Sequence, residues 1–352
     1  MRVSVVGATG AVGQRLLEIL EARAFPIRSL RLFASDRSDG KFISFSGRSI
    51  RCEVLTPGCF FESDLVFFDA SDAVSEKWAP QAAAAGAWVV DNSAAFRLDV
   101  DIPLIVPEVN GGILIERIKR GVSALSPRER IIAGPNCSTV QLVVALAPLR
   151  DHWGLRRVVV STYQSTSGAG SAAMSELQSQ TAAVLEGREI ASQLFPHSIA
   201  FNCIPQIGSF KDDGTTSEEQ KIMQESRKIL GIPDLRISAT AVRVPTLVSH
   251  GESVNVECEK VFSIEAVRKV YQNLMGLVLQ DQPEDKIYPM GFPGAKSTVE
   301  GASGRDAVYL GRLRLDTSVE SGLNFWIVAD NLRKGAALNA IQIGEMLVQA
   351  IG

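Results

Sequence analysis

Arg2-Val3-Ser4-Val5-Val6-Gly7-Ala8-Thr9-Gly10-Ala11-Val12-Gly13 is a short apolar run that enters a glycine turn and then a helical pattern. Glycines at 7, 10 and 13 let the main chain turn tightly and approach a pyrophosphate. The helix that follows offers free N–H groups and the positive end of its dipole. The spacing is Gly-x-x-Gly-x-x-Gly, not Gly-x-Gly-x-x-Gly, so the strand–turn–helix setting carries the reading. Gly7, Thr9, Gly10, Ala11, Val12 and Gly13 are therefore candidate cofactor-binding residues.

Working outward, residues 12–24 set Leu16, Leu17, Ile19 and Leu20 on one helical face. Residues 30–34 predict a second strand. Residues 65–70 are nearly all apolar, as in a parallel strand covered on both faces. Residues 78–85 predict a helix and 88–91 another strand. This alternation predicts an α/β fold, a Rossmann-type doubly wound parallel sheet. The second strand runs into Ala34-Ser35-Asp36-Arg37-Ser38. An acid there can bind a ribose 2′-hydroxyl, and an arginine suits a 2′-phosphate. Ser35, Arg37 and Ser38 together favour NADP.

The middle of the chain reads differently. Residues 157–163, 237–244 and 253–262 are rich in β-branched side chains, and two such runs flank a turn at Pro245, so that a hairpin or strand-end placement could present Arg243 and His250 to one cleft. Helices are predicted over 171–185, 217–230 and 264–279, a loop over 288–304, and a helix over 331–351. This predicts a second, mixed α+β domain.

The 352 residues suit two domains, and 46% hydrophobic with 21% charged residues is ordinary for an enzyme. A net charge of -3 without a basic block argues against nucleic acid or an anionic membrane as partner. The longest apolar stretch, 140–149, is too short to span a bilayer. Five cysteines, at 52, 59, 137, 203 and 258, show no Cys-x-x-Cys spacing, which reads as reduced thiols in a cytoplasmic protein. His152, His197 and His250 form no ligand cluster with them, so no metal is expected.

Arg130-Ile131-Ile132-Ala133-Gly134-Pro135-Asn136-Cys137-Ser138-Thr139 reads as strand, sharp turn and helix start. A thiolate at Cys137 would gain from the helix dipole, and the free N–H groups with Asn136 could receive an oxyanion. The other four cysteines read as small buried hydrophobes.

With the glycine loop and the Asn136-Cys137-Ser138-Thr139 segment, three further motifs resemble aspartate-semialdehyde dehydrogenase. They are Tyr163-Gln164 followed by Ser167-Gly168-Ala169-Gly170, Arg243-Val244-Pro245-Thr246 leading to His250-Gly251, and Asp330-Asn331-Leu332-Arg333-Lys334-Gly335-Ala336-Ala337-Leu338-Asn339. The resemblance implies NADP-dependent reduction of L-aspartyl-4-phosphate to aspartate semialdehyde, in synthesis of lysine, threonine, methionine and diaminopimelate. It implies a dinucleotide domain of residues 1–134 with 331–352, a catalytic and dimerisation domain of residues 135–330, and a homodimer or homotetramer.

By the same resemblance Cys137 is the nucleophile, His250 the acid/base, and Gln164 orients the acyl group. Arg243 binds the α-carboxylate, Glu218 and Lys221 hold amine and phosphate, and Arg97 is the second phosphate ligand. Ser71, Gly168 and Asn324 join the cofactor set. The chemistry agrees. A thiolate accepts an acyl group and yields an electrophilic thioester, cations hold phosphate, a planar guanidinium suits a carboxylate, and an imidazole moves protons. The chain departs from the family pattern at Asp36 beside Arg37, and at Ser165-Thr166, where small apolar residues are expected and which should touch packing more than chemistry. The alternatives are N-acetyl-γ-glutamyl-phosphate reductase, whose cysteine segment resembles Gly-Cys-Tyr-Pro-Thr, and a non-catalytic nucleotide-binding paralogue.

Overall fold

A computed structural model describes residues 1–292, 294, 297 and 299–351. The chain forms two compact units, Met1–Asn136 with Ala336–Gly352, and Cys137–Gly335.

The first unit contains seven strands, β1 (Arg2–Val6), β2 (Ser29–Phe33), β3 (Phe42–Phe45), β4 (Arg48–Glu53), β5 (Leu65–Phe68), β6 (Trp88–Asp91) and β7 (Ile131–Ala133). They lie in the order β3-β4-β2-β1-β5-β6-β7 and pair in parallel except for β3 with β4. All residues of β5, β6 and β7 are buried, as expected of strands covered on both faces. Helices α1 (Ala11–Ala22), α2 (Asp72–Ala84), α3 (Pro107–Asn110) and α4 (Gly112–Lys119) belong to this unit. Because β1 lies between β2 and β5, the glycine loop leaves the sheet at its switch point, where such sheets bind ligands.

The β3–β4 hairpin escapes apolar periodicity. It is marked instead by its turn, where Ser46 and Gly47 have φ of 48° and 73°, the left-handed pair that two-residue hairpin loops require.

The second unit opens with α5 (Cys137–Trp153), buried on all sides from Ser138 to Leu149. Its sheet contains β8 (Leu155–Gln164), β9 (Arg236–Arg243), β10 (His250–Cys258), β11 (Leu277–Leu279), β12 (Val308–Asp316) and β13 (Gly322–Ala329), in the order β11-β12-β13-β10-β8-β9. Parallel pairs at both edges flank antiparallel ones, so the sheet is mixed. Helices α6 (Ser171–Leu185), α7 (Ser217–Leu230) and α8 (Ile264–Gln272) complete the unit. Helix α5 packs on β8, β10, β12 and β13, and the Tyr271 hydroxyl of α8 donates to Ala145 O at 2.7 Å. The chain then returns to the first unit as α9 (Leu338–Ile351). Its Leu338, Ile341 and Leu347 share one core with Val5, Leu16 and Phe67.

Four expectations need correction. The helix over 264–279 stops at Gln272, because Gly276 turns the chain with φ 82° into β11. The strand over 253–262 starts earlier, at His250, and ends at Cys258. The runs around Pro245 are not a hairpin, since β8 lies between β9 and β10. Cys203 is exposed in a loop, whereas Cys52, Cys59 and Cys258 are buried. In the 288–304 loop, residues 293, 295, 296 and 298 lie outside the described residues. Among the described residues no helix is long and apolar enough to cross a membrane.

Candidate active site

In the first unit the glycines do what the turn demands. Gly7 has φ 87°, and a Cβ there would lie 1.9 Å from Asp69 O. A Cβ on Gly13 would lie 2.2 Å from Gly7 O. The loop is thus folded on itself as tightly as glycine allows. Helix α1 starts after Gly10 with no side chain of that residue capping it, so the glycine loop leaves first-turn N–H groups that an anion could take. The Asp69 carboxylate accepts from the Gly13 N–H. Burial, with a smaller push from Asp91, raises its pKa to about 7. Ser71 sits just before α2, also without a side-chain cap. Ser35, Asp36 and Arg37 are exposed beyond β2 and Ser38 is buried, with Asp36–Ser38 in one 3-10 turn. This cradle fits a dinucleotide.

The same unit holds Arg97, Asn92 and Asn136. Arg97 is buried and its Nη2 donates to Asn92 O at 2.6 Å. Asp91 accepts 2.6 Å bonds from Ser75 and Ser93 hydroxyls, and burial still raises its pKa. Gly134 packs where a Cβ would lie 2.6 Å from Asn92 Oδ1, so the turn ahead of Cys137 needs a glycine. Asn136 is buried at the unit's boundary.

In the second unit Cys137 is the first residue of α5 and is partly exposed. A Cβ on Gly335 would lie 3.0 Å from Cys137 Cβ, so main chain approaches the thiol residue closely. Gln164 and Arg243 end the parallel strands β8 and β9 opposite each other, and antiparallel β10 begins with His250 at the same edge. Of the two placements the spacing allows, the strand-end one and not the hairpin unites Arg243 with His250. Gln164 Nε2 donates to Glu218 Oε1 at 3.2 Å. Glu218 sits in the first turn of α7, which Thr216 caps through a reciprocal bond pair with Glu219. Lys221 Nζ lies 3.8 Å from Glu218 Oε2, on a more exposed position of that helix.

Arg243 is buried and its Nη1 donates to Ser165 O at 2.7 Å. Burial pulls its pKa down, while Cys137 and Glu218 pull it back up. His250 is fully buried, and burial followed by the Arg243 charge pushes its imidazole down to about 3. Its Nδ1 accepts from the Ser165 N–H at 3.1 Å, with the Ser165 hydroxyl also 3.1 Å away. Its Nε2 has no hydrogen-bond partner among the described residues. Gly168 closes over this pair, since a Cβ there would lie 2.9 Å from Arg243 Nη1 and 3.2 Å from His250 Nε2.

The second unit thus brings together Gln164, Gly168, Glu218, Lys221, Arg243 and His250, but not Asn324. Asn324 pairs with Asn255, five positions along β10 from His250. The two-residue period of a strand puts it on the opposite face, where its Oδ1 accepts from Asn255 at 3.0 Å. Sequence reading overlooked Asn331, which lies inside a quoted motif. Its Oδ1 accepts from the Ser249 N–H at 2.9 Å and is 3.2 Å from the Ser165 and Ser167 hydroxyls. Ser249, just before His250, takes the left-handed φ of 75°, a strained state for serine that this bond helps hold. Ser165 was expected to touch packing, yet its N–H and hydroxyl both face the His250 ring.

A family profile described as "Semialdehyde dehydrogenase, NAD binding domain" matches residues 2–116, and one described as "Semialdehyde dehydrogenase, dimerisation domain" matches residues 146–334. The chain is 46% identical over 350 residues to an aspartate-semialdehyde dehydrogenase of Aquifex aeolicus, covering 99% of this chain and 98% of that one. To the Bacillus subtilis protein of that name it is 42% identical over 355 residues, covering 99% and 97%. The crystal structure of aspartate semialdehyde dehydrogenase II from Vibrio cholerae, complexed with ASA, superposes with a TM-score of 0.90 at 43% identity, covering 99% and 98%.

Proposed function

The chain belongs to the aspartate-semialdehyde dehydrogenase family, and from that premise we propose that it reduces L-aspartyl-4-phosphate to aspartate semialdehyde with release of phosphate, using NADP and a thioester on Cys137. The observation that carries this reading is the placement of Cys137 at the N-terminus of α5, in the unit that also gathers Gln164, Arg243 and His250 at one sheet edge.

The Cys137 thiolate attacks the acyl carbon. A C–S bond forms, the C–O bond to phosphate breaks, and phosphate leaves. The helix N-terminus favours the thiolate, and main-chain N–H groups with Asn136 receive the oxyanion. NADPH, when bound, supplies the reducing equivalent that turns the thioester into aldehyde and frees the thiolate. Gly7, Thr9, Gly10, Ala11, Val12, Gly13 and Ser71 would hold its pyrophosphate side, with Ser35, Arg37 and Ser38 on the 2′-phosphate. His250 moves the proton on the reacting oxygen. Arg243 grips the α-carboxylate in bidentate fashion. Glu218 takes the amine and Gln164 aligns the acyl group. Lys221 supplies a cation for the phosphate, and Arg97 a second. The protein works as a cytoplasmic homodimer at least, through the unit that carries the family's dimerisation domain.

The test is the reverse reaction with aspartate semialdehyde, phosphate and NADP, followed by nicotinamide absorbance. Phosphate-dependent reduction of NADP by wild type, lost in Cys137→Ala, is the expected result. NADP binding without turnover would overturn it.

A further inference from the structure

We propose that Ser165 is a positioning residue whose hydroxyl lets His250 change its protonation state during turnover, with Asn331 as the relay's fixed end. The proposal rests on the reading of His250 as the proton carrier.

A neutral imidazole nitrogen with a lone pair accepts one hydrogen bond there. The Ser165 main-chain N–H, which cannot reverse its role, occupies the Nδ1 lone pair at 3.1 Å. That bond selects the resting tautomer with its proton on Nε2. In this form Nε2 can donate but cannot accept a proton.

Two other forms are needed for proton transfer. To act as base the ring must carry its proton on Nδ1, leaving Nε2 open, and to act as acid it must carry both. In either form Nδ1–H has to donate. The Ser165 hydroxyl, 3.1 Å from Nδ1, is placed to accept it. The Ser249 carbonyl also favours a charged ring, but a carbonyl can only accept, whereas the hydroxyl can donate to a bare Nδ1 or accept from Nδ1–H. When Ser165 Oγ accepts, its own proton turns to Asn331 Oδ1 at 3.2 Å, and the Ser167 hydroxyl, 3.0 Å from Ser165 Oγ, receives Asn331 Nδ2–H at 2.9 Å. Every group in the chain is buried, so no exchange with bulk water substitutes for it.

The charged and titratable surroundings make this device necessary. Arg243 stands against the ring and disfavours its cation. Cys137 and Glu218 act on Arg243 from α5 and α7. Glu252, two residues along β10 on the same sheet face, has its carboxyl pushed well above the usual carboxylate range by burial, which disfavours a compensating charge there. The hydroxyl is therefore the local group that can reverse its role as Nδ1 gains or loses its proton.

The experiment compares Ser165→Ala, Ser165→Thr, His250→Gln and the Ser165→Ala/His250→Gln double variant in the phosphate-dependent assay across pH. Melting temperature, NADP affinity and the rate of Cys137 alkylation by iodoacetamide serve as checks on fold and thiol. Ser165→Ala should lower kcat by about 10–100-fold, within the range of general acid–base catalysis, with KM and alkylation little changed. Its pH profile should lose the limb that His250 produces. Ser165→Thr should restore most of kcat. The double variant should be no slower than His250→Gln, as for groups acting as a unit. A Ser165→Ala enzyme at wild-type speed, or losses that multiply in the double variant, would overturn the proposal. A wild-type kcat in His250→Gln would instead sink the reading of His250 itself.

Discussion

Gln164 Nε2 and Glu218 Oε1 meet at 3.2 Å with both side chains buried, so the end of β8 and the first turn of α7 are fastened to each other. The two side chains act as one unit. Glu218→Ala removes the carboxylate proposed to take the amine and frees the Gln164 amide to turn. KM for aspartate semialdehyde should rise about 10–100-fold, with a further loss in kcat. A Gln164→Ala/Glu218→Ala cycle should show coupling of about 0.5–3 kcal/mol. Steady-state kinetics showing strictly additive losses would contradict the pairing.

Gly168 closes over Arg243 and His250, both of which are tied to Ser165 and cannot swing aside freely. Gly168→Ala should therefore cut kcat about 10–100-fold by displacing one or both side chains. The melting temperature should move by only a few degrees, roughly 1 kcal/mol. An active Gly168→Ala enzyme would mean that the space is larger in solution.

Asp36 and Arg37 share one exposed turn and offer opposite cofactor preferences. Arg37→Ala should raise KM for NADP about tenfold, ~1.4 kcal/mol, with little effect on NAD. Equal losses with both cofactors would remove Arg37 from the 2′-phosphate.

The cofactor-free protein should lose stability as pH rises from about 4 to 7, through Asp69. Its folded pKa of about 7 lies above the ordinary 3.8, because burial and then Asp91 disfavour its charge while the Gly13 N–H favours it. The native state holds the extra proton in that window, so stability is full below about 4 and is lost as the pH passes 7. The shift corresponds to roughly 4 kcal/mol. Asp69→Asn keeps an oxygen for the Gly13 N–H and removes the titration. Urea midpoints should favour the variant at pH 8 and converge at pH 4.5, and equal midpoints at pH 8 would refute the assignment.

The parts of the fold legible in the sequence were those set by local rules. The buried runs of β5 and β6, the glycine turn after β1 and the charged N-terminal turn of α7 all announce themselves by composition or spacing. The segments misread had their shape decided by distant partners. Residues 277–279 continue a helical apolar pattern, but edge pairing with β12 makes them a strand. Arg243 and His250 sit seven residues apart, yet β8, some eighty residues earlier in the chain, separates their strands. Asn324 was a polar residue of unknown facing, and only the register with β10 shows which side it takes. The role of Ser165 is a contact between two loop-end atoms, which periodicity does not encode.

The return of α9 to the first unit bears on how the molecule is made. Its Leu338, Ile341 and Leu347 fill the core that Val5, Leu16 and Phe67 begin. Once residues 1–330 have been synthesised, every strand of the six-stranded sheet has been made, whereas the seven-stranded one still lacks the helix that covers part of its flank. The first unit therefore cannot complete its core until the last helix of the chain has been made. In that interval the uncovered apolar flank is the surface most in need of a chaperone.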